Sequence, residues 1–267
     1  MRLFRVLPIV LALLVTLAVP SASAAGALDR IVEKGELRVG MSGDQPPLNA
    51  KSKSGDLIGF EVDLVNALAT SMGVKAKLVV KPFSELLPAL QAGEVDMVVS
   101  GVAITPERNT KVAFVGPYTV TGKSILTTST ALAAADESGD LNMENVTLTA
   151  LAGSTSQKFV EVVIPKATLK TTQNYDEAVK LVKSGEADAL IADIEACQLT
   201  LMRYPNEGLA TLEGPLTLEP IGIALPPDEP LLMNLVENYL AALEIQGLLE
   251  LLHRKWYEDG SWLIQLP

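Results

Sequence analysis

Short apolar runs alternate with segments of helical period along most of the chain, and this alternation leaves few folds open. Leu37 to Met41 reads as a strand after a turn at Lys34-Gly35. Apolar residues at Leu64, Val65, Leu68, Ala69 and Met72 give helical spacing from Phe60 to Met72, and Gly73 stops it. Lys77 to Val80 is a second strand. Glu85 to Gln91 is a helix with Ser84 as its N-cap and Gly93 as its stop; Pro88 is tolerable in its first turn. Met97 to Val99 is a buried strand. Strand, helix and strand in this order predict βαβ units and a mainly parallel sheet.

The scheme recurs. Ala89 to Val99 and Leu181 to Ile191 each run from a helix end through a Gly-Glu-x-Asp turn into an apolar strand. The recurrence suggests two lobes built alike. Residues 129 to 145, rich in Ala, Ser, Asp, Glu and Asn, read as a surface excursion on the second lobe. Leu231 to Trp256 is amphipathic at helical period, with a break expected at Gly247.

The N-terminus has the form of a leader. Arg2 and Arg5 precede an apolar run from Val6 to Val19, and Ala22-Ser23-Ala24 supplies the small-x-small pattern for cleavage after Ala24. The run is short of the roughly 20 residues that a membrane span needs. No cysteine stands at the expected mature N-terminus, so a lipid anchor is not expected, and no later segment is long and apolar enough to span. The expectation is a soluble protein exported to the periplasm. The formal net charge of −11 becomes two units more negative once Arg2 and Arg5 leave with residues 1–24. That balance argues against nucleic acid or anionic membrane as a partner. A single cysteine, Cys197, excludes an internal disulfide, and its apolar neighbours suggest a buried inert thiol. With His253 as the only histidine, no zinc cage and no Ser-His or Cys-His nucleophile pair can be argued. No cofactor is expected.

Three places suit a zwitterion. In Thr105-Pro106-Glu107-Arg108, Thr is a good N-cap and Pro is favoured at the first helical position. Arg108 then lies in a first turn, where the helix dipole mildly disfavours a cation, and can serve a carboxylate through two parallel hydrogen bonds. A solvated arginine or a pair with Glu107 is the alternative. Gly153-Ser154-Thr155-Ser156 opens a helix with free N–H groups and hydroxyls, which makes an anion site or an ordinary cap. Asp193 ends the strand Ala189–Ala192, where open α/β sheets place ligands; it can pair with an ammonium or cap a turn. Glu195, two residues on, is a second acidic candidate.

Taken together, these segments resemble the bacterial extracellular solute-binding proteins that serve polar amino-acid ABC transporters. The resemblance covers nearly the whole mature chain. It runs through Leu37-Arg38-Val39-Gly40, Gly59-Phe60-Glu61-Val62-Asp63-Leu64, Thr105-Pro106-Glu107-Arg108 with Phe114 and Pro117-Tyr118 behind it, Gly185-Glu186-Ala187-Asp188-Ala189, Asp193, Ile221 to Pro226, and Lys255-Trp256-Tyr257. It implies a type II periplasmic-binding-protein fold: two α/β lobes, each a mainly parallel sheet flanked by helices, joined by two crossing hinge strands. Lobe 1 would be 25–119 and 216–267, and lobe 2 would be 120–215. In the family the arginine of Thr-Pro-x-Arg grips the ligand carboxylate, which falls on Arg108. A hydroxyl at the opposing helix start falls on Thr155, with Ser156 beside it. The aspartate that takes the ammonium falls on Asp193, and a pocket-lining aromatic falls on Phe60.

The sequence departs from the family pattern where a hydroxyl residue is usual five positions before the arginine. Here that position is Ala103, with Gly101 before it. The loop Gly43-Asp44-Gln45-Pro46-Pro47-Leu48 lacks the family's usual aromatics. The function implied is capture of an amino acid or related small carboxylate by lobe closure, by a monomer that is not an enzyme, for a membrane permease. The rival is a cyclohexadienyl dehydratase on the same fold, with Glu195 or Asp193 as proton donor. For that chemistry the paired cationic clamps are not evident, since Arg108 stands nearly alone. The sensing half of a membrane receptor is disfavoured because no apolar span follows Pro267.

Overall fold

The computed structural model describes residues 26–134 and 138–267; the leader expected at 1–24 lies outside the described residues. The strands are β1 (Glu36–Met41), β2 (Asp44–Gln45), β3 (Asn49–Lys51), β4 (Leu57–Ile58), β5 (Lys75–Val80), β6 (Met97–Val98), β7 (Ala113–Thr121), β8 (Lys123–Thr127), β9 (Thr147–Leu151), β10 (Thr168–Thr172), β11 (Ala189–Asp193), β12 (Ala210–Thr211) and β13 (Glu219–Leu225). The helices are α1 (Ala27–Lys34), α2 (Phe60–Ser71), α3 (Phe83–Gln91), α4 (Pro106–Asn109), α5 (Thr130–Ala133), α6 (Thr155–Val163), α7 (Tyr175–Ser184), α8 (Ile194–Arg203), α9 (Pro230–Ile245) and α10 (Leu248–His253).

Two five-stranded sheets result, ordered β5-β1-β6-β13-β7 and β10-β9-β11-β8-β12, with β2, β3 and β4 in a small third sheet. In the first, β1 pairs parallel with β5 and β6, and β13 runs antiparallel to β6 and β7. In the second, β9 pairs parallel with β10 and β11, while β8 is antiparallel to β11 and β12. Both sheets are therefore mixed rather than mainly parallel. The antiparallel members are the strands on which the chain passes between lobes, and they enter each sheet against the βαβ direction.

Helices cover both faces of each sheet, and that is why the strands read as continuous apolar runs. Leu37, Val39 and Met41 pack with Leu64 and Leu68 of α2 and Leu232 and Val236 of α9. The opposite face holds Val98 and Ala224 against Leu86 and Leu90 of α3. In the second sheet Ile125 and Leu126 point to opposite faces. Ile125 packs with Val160 of α6, and Leu126 with Ala178 and Val182 of α7. The excursion near 129–145 is anchored more deeply than expected, because Leu132 and Leu141 are buried in the second core.

The recurring turn carries a shared device. Gly93 and Gly185 both adopt left-handed φ, at 70° and 75°, a conformation open to glycine at little cost. The aspartate that follows each then pins the neighbouring strand. Asp96 Oδ2 accepts the Arg38 N–H at 2.7 Å, and Asp188 Oδ2 accepts the Thr147 N–H at 2.7 Å. Asp96 also pairs with Arg30 and, at 2.7 Å, with Arg38.

The chain leaves the first sheet through Gly122, between β7 and β8, and returns between β12 and β13. The two crossings touch: Lys123 N–H donates to Thr217 Oγ1 at 2.9 Å, and a Cβ on Gly122 would sit 1.8 Å from the Thr217 carbonyl oxygen. The lobes meet face to face. Leu151 of β9 is buried against Phe83 and Leu86, and Leu199 of α8 joins the first core.

Candidate functional site

The loop after β6 brings Arg108 to the cleft. Thr105 caps α4 by accepting the Arg108 backbone N–H at 3.2 Å, as the motif predicts. The guanidinium donates to the Ala103 carbonyl at 2.9 Å and, across the cleft, to the Gly153 carbonyl at 3.1 Å. It also lies over the Phe83 ring, 5.8 Å from its centroid. Burial draws its pKa down, while Glu219, Glu107 and Asp193 draw it up. A guanidinium in such surroundings stays charged.

Ala103 and Gly101 act through the backbone. Ala103 is buried and bridges to Ile221, which fixes the carbonyl that holds Arg108. Gly101 has φ of 59°, and a Cβ there would stand 2.7 Å from Gln45 Oε1. Its N–H donates at 2.7 Å to Glu61, a fully buried carboxyl that also accepts from Asn49 at 2.6 Å and from the Tyr118 hydroxyl. Burial raises the pKa of Glu61 more than these donors lower it.

Opposite Arg108, Ser154 caps α6 by accepting the Gln157 N–H at 3.1 Å, so the ordinary capping reading of this turn holds for Ser154. Thr155, the first helical residue, donates to Glu219 Oε2 at 2.6 Å. Ser156 is buried, and its hydroxyl has no partner among the described residues. Asp193 ends β11 and opens α8 without capping it. Its carboxylate instead accepts from Lys123 Nζ at 2.6 Å, and Lys123 also pairs with Glu219 at 3.0 Å. Lys123 is 2% exposed, and its two carboxylates raise its pKa against the desolvation that lowers it.

Lys123 and Glu219 escaped the sequence reading. Lys123 precedes the buried run Ser124-Ile125-Leu126, and Glu219 lies just before Ile221. A charged residue at the mouth of a buried strand was the available signal. Phe60 lies deeper than Arg108, Thr155 and Asp193. It is 1% exposed and packs on Tyr118 and Tyr257, with ring centroids 6.0 Å away in each case. At the first position of α2 it packs behind Tyr257, which lines the cavity described next.

Asp193 also borders a small cavity walled by Pro46, Pro47, Leu48, Tyr175, Ile221 and Tyr257. Gln45, Thr119, Thr121 and Glu195 supply its polar groups. Thr121 donates to Glu195 Oε2, and burial raises the Glu195 pKa. Asp44, beside Gln45, accepts the Tyr175 N–H of the opposite lobe at 3.1 Å. Cys197 is buried at the back of α8, and burial pushes its thiol pKa up, as an inert thiol requires.

The sequence and fold match those of known proteins. The model of the bacterial extracellular solute-binding proteins, family 3, matches residues 37–259. ABC transporter arginine-binding protein 1 of Escherichia coli (strain K12) is 29% identical over 230 residues, 83% of this chain and 90% of that protein. Cyclohexadienyl dehydratase of Pseudomonas aeruginosa is 29% identical over 256 residues, 96% of this chain and 95% of that protein. The crystal structure of the ancestral amino acid-binding protein AncCDT-1, a precursor of cyclohexadienyl dehydratase, superposes with a TM-score of 0.80 at 36% identity. It covers 87% of this chain and 100% of its own. Solved relatives of this kind carry the two-lobed type II fold expected from the sequence.

Proposed function

The chain belongs to family 3 of the bacterial extracellular solute-binding proteins, and on that premise we propose that it captures an amino acid between its lobes for an ABC importer. One observation carries the reading. Arg108, reached from the first sheet, and Asp193, at the end of a strand of the second, face the same cleft. Arg108 spends N–H groups on Ala103 and Gly153, and a guanidinium has five. The rest can take a carboxylate, together with the N–H groups that open α6. Asp193 takes the ammonium beside Lys123, which Glu219 helps to hold.

In this reading residues 1–24 are cleaved after Ala24 and the protein works in the periplasm as a monomer without a cofactor. Lobe 1 is 25–119 with 216–267, and lobe 2 is 120–215. Closure brings Asp193 and Thr155 onto a ligand first held by Arg108. Hydrogen bonds to charged groups contribute about 1.5–3 kcal/mol each. Three or four, less ordering and desolvation, match the roughly −8 kcal/mol of a micromolar binder. Calorimetry with the best ligand from a thermal-shift screen of amino acids tests this. Arg108→Ala is expected to weaken binding by about tenfold to a thousandfold, and unchanged affinity would remove Arg108 from the site.

A second reading, a dehydratase like that of Pseudomonas aeruginosa, draws on two features of the cleft. Glu195 is a carboxyl whose proton burial helps to retain, and Lys123 is a second cation beside Arg108. Incubation with prephenate or arogenate, followed by ultraviolet absorbance, separates catalysis from capture.

A further inference from the structure

We infer that the cavity bordered by Asp193 receives a cationic side chain, an ammonium or guanidinium on an aliphatic stem, with Glu195 and Gln45 meeting its positive end. This rests on the amino-acid reading above, which places the ligand's own ammonium at Asp193 and aims its side chain past that residue.

Three observations converge. First, the cavity's charged lining residues are both acids, Asp193 and Glu195. Asp193 is matched by Lys123, whereas Glu195 has no ion-pair partner among the described residues and is held only by Thr121. Second, Gln45 lines the same cavity, is 7% exposed, and its Oε1 is buried without a donor. An unmet buried acceptor beside an unmet carboxylate calls for a ligand group rich in N–H donors. Third, the remaining walls are Pro46, Pro47, Leu48, Ile221 and the rings of Tyr175 and Tyr257. They suit the methylenes of an aliphatic stem. Lys123 is the group that would repel an incoming cation, but Asp193 and Glu219 already balance it. An acidic side chain would meet Glu195 head-on, and a purely aliphatic one would leave both acceptors unmet.

The test is calorimetry of the full chain with L-arginine, L-lysine, L-glutamine, L-norleucine and L-glutamate. Arginine or lysine is expected to bind at least about tenfold tighter than glutamine or norleucine, the worth of one desolvated charge-assisted bond. In Glu195→Gln the ratio of cationic to glutamine affinity is expected to fall by about the same factor. Glu195→Asp, which keeps the charge, is expected to retain part of it. Because the readout is a ratio on folded protein, general destabilisation does not mimic it. Glutamine, norleucine or glutamate binding as tightly as both cations, or an unaltered ratio in Glu195→Gln, overturns the inference and leaves amino-acid capture standing. Binding of none of the five overturns the inference, and a thermal-shift screen without a hit among all the amino acids overturns amino-acid capture as well.

Discussion

Glu61 shows how far single residues behind the cleft determine its shape. Its carboxyl gathers Asn49, Tyr118 and the Gly101 N–H in the buried interior of the first lobe. That places the loop carrying Ala103 and Arg108. The folded protein binds the Glu61 proton more tightly than the unfolded chain, because burial raises its pKa. The stabilisation from this group is therefore fully present below the ordinary glutamate value of about 4.3 and is lost as pH rises through the folded value. Glu61→Gln removes the titration. Urea unfolding at about pH 4 and about pH 7 should show wild type losing stability relative to Glu61→Gln on the way up; parallel curves would place the titration elsewhere. At this scale the sequence was partly legible. Arg108 and Asp193 stood out because motif and strand end mark them. Lys123, Glu219 and Tyr175 did not, since each matters only through partners distant in the chain. Phe60 came from the family resemblance alone, and its packing on Tyr118 and Tyr257 could not be read from the chain.

Among the elements, periodicity located nearly every helix and strand, while ends shifted where tertiary contacts compete with local signals. Phe60 to Met72 ends at Ser71, and the break at Gly247 falls between α9 and α10 as expected. The third helix begins at Phe83 rather than after Ser84, because Phe83 is drawn into the core beside Leu86. This moves Pro88 from the first turn into the helix interior. Strand direction was the least legible feature. Nothing in β8 or β13 announces that it enters its sheet reversed. The recurring Gly-Glu-x-Asp turn carries a prediction of its own. Asp96 and Asp188 each hold a neighbouring strand, but only Asp96 also joins two guanidinium groups. Asp96→Ala should cost about 2–3 kcal/mol and Asp188→Ala about 1 kcal/mol, measured by urea unfolding. Equal losses would show that the strand-pinning bond, rather than the ion pairs, carries the effect.

For the molecule as a whole, the hinge is the feature on which capture depends. Gly122 lies against the returning segment so closely that a methyl group would collide with the Thr217 carbonyl. Gly122→Ala must push the crossings apart. It should lower the melting temperature by several degrees, at about 2–4 °C per kcal/mol for a chain of this size, and should weaken ligand binding by misaligning Arg108 and Asp193. Melting and calorimetry on the same variant test this. A variant that melts early but binds normally would show that the hinge tolerates displacement.

The position of β13 has a consequence for how the molecule assembles. It lies between β6 and β7 in the first sheet, yet it is made almost a hundred residues after β7 ends. Until that late strand arrives, the first sheet has a gap one strand in from its edge, between β6 and β7, whereas the second sheet is built from one unbroken stretch. Maturation should therefore be staggered, with the middle of the chain gaining its shape first and the outer portion closing around its own tail end. Slow, non-local pairing of this kind would make the first sheet the last part of the molecule to become whole.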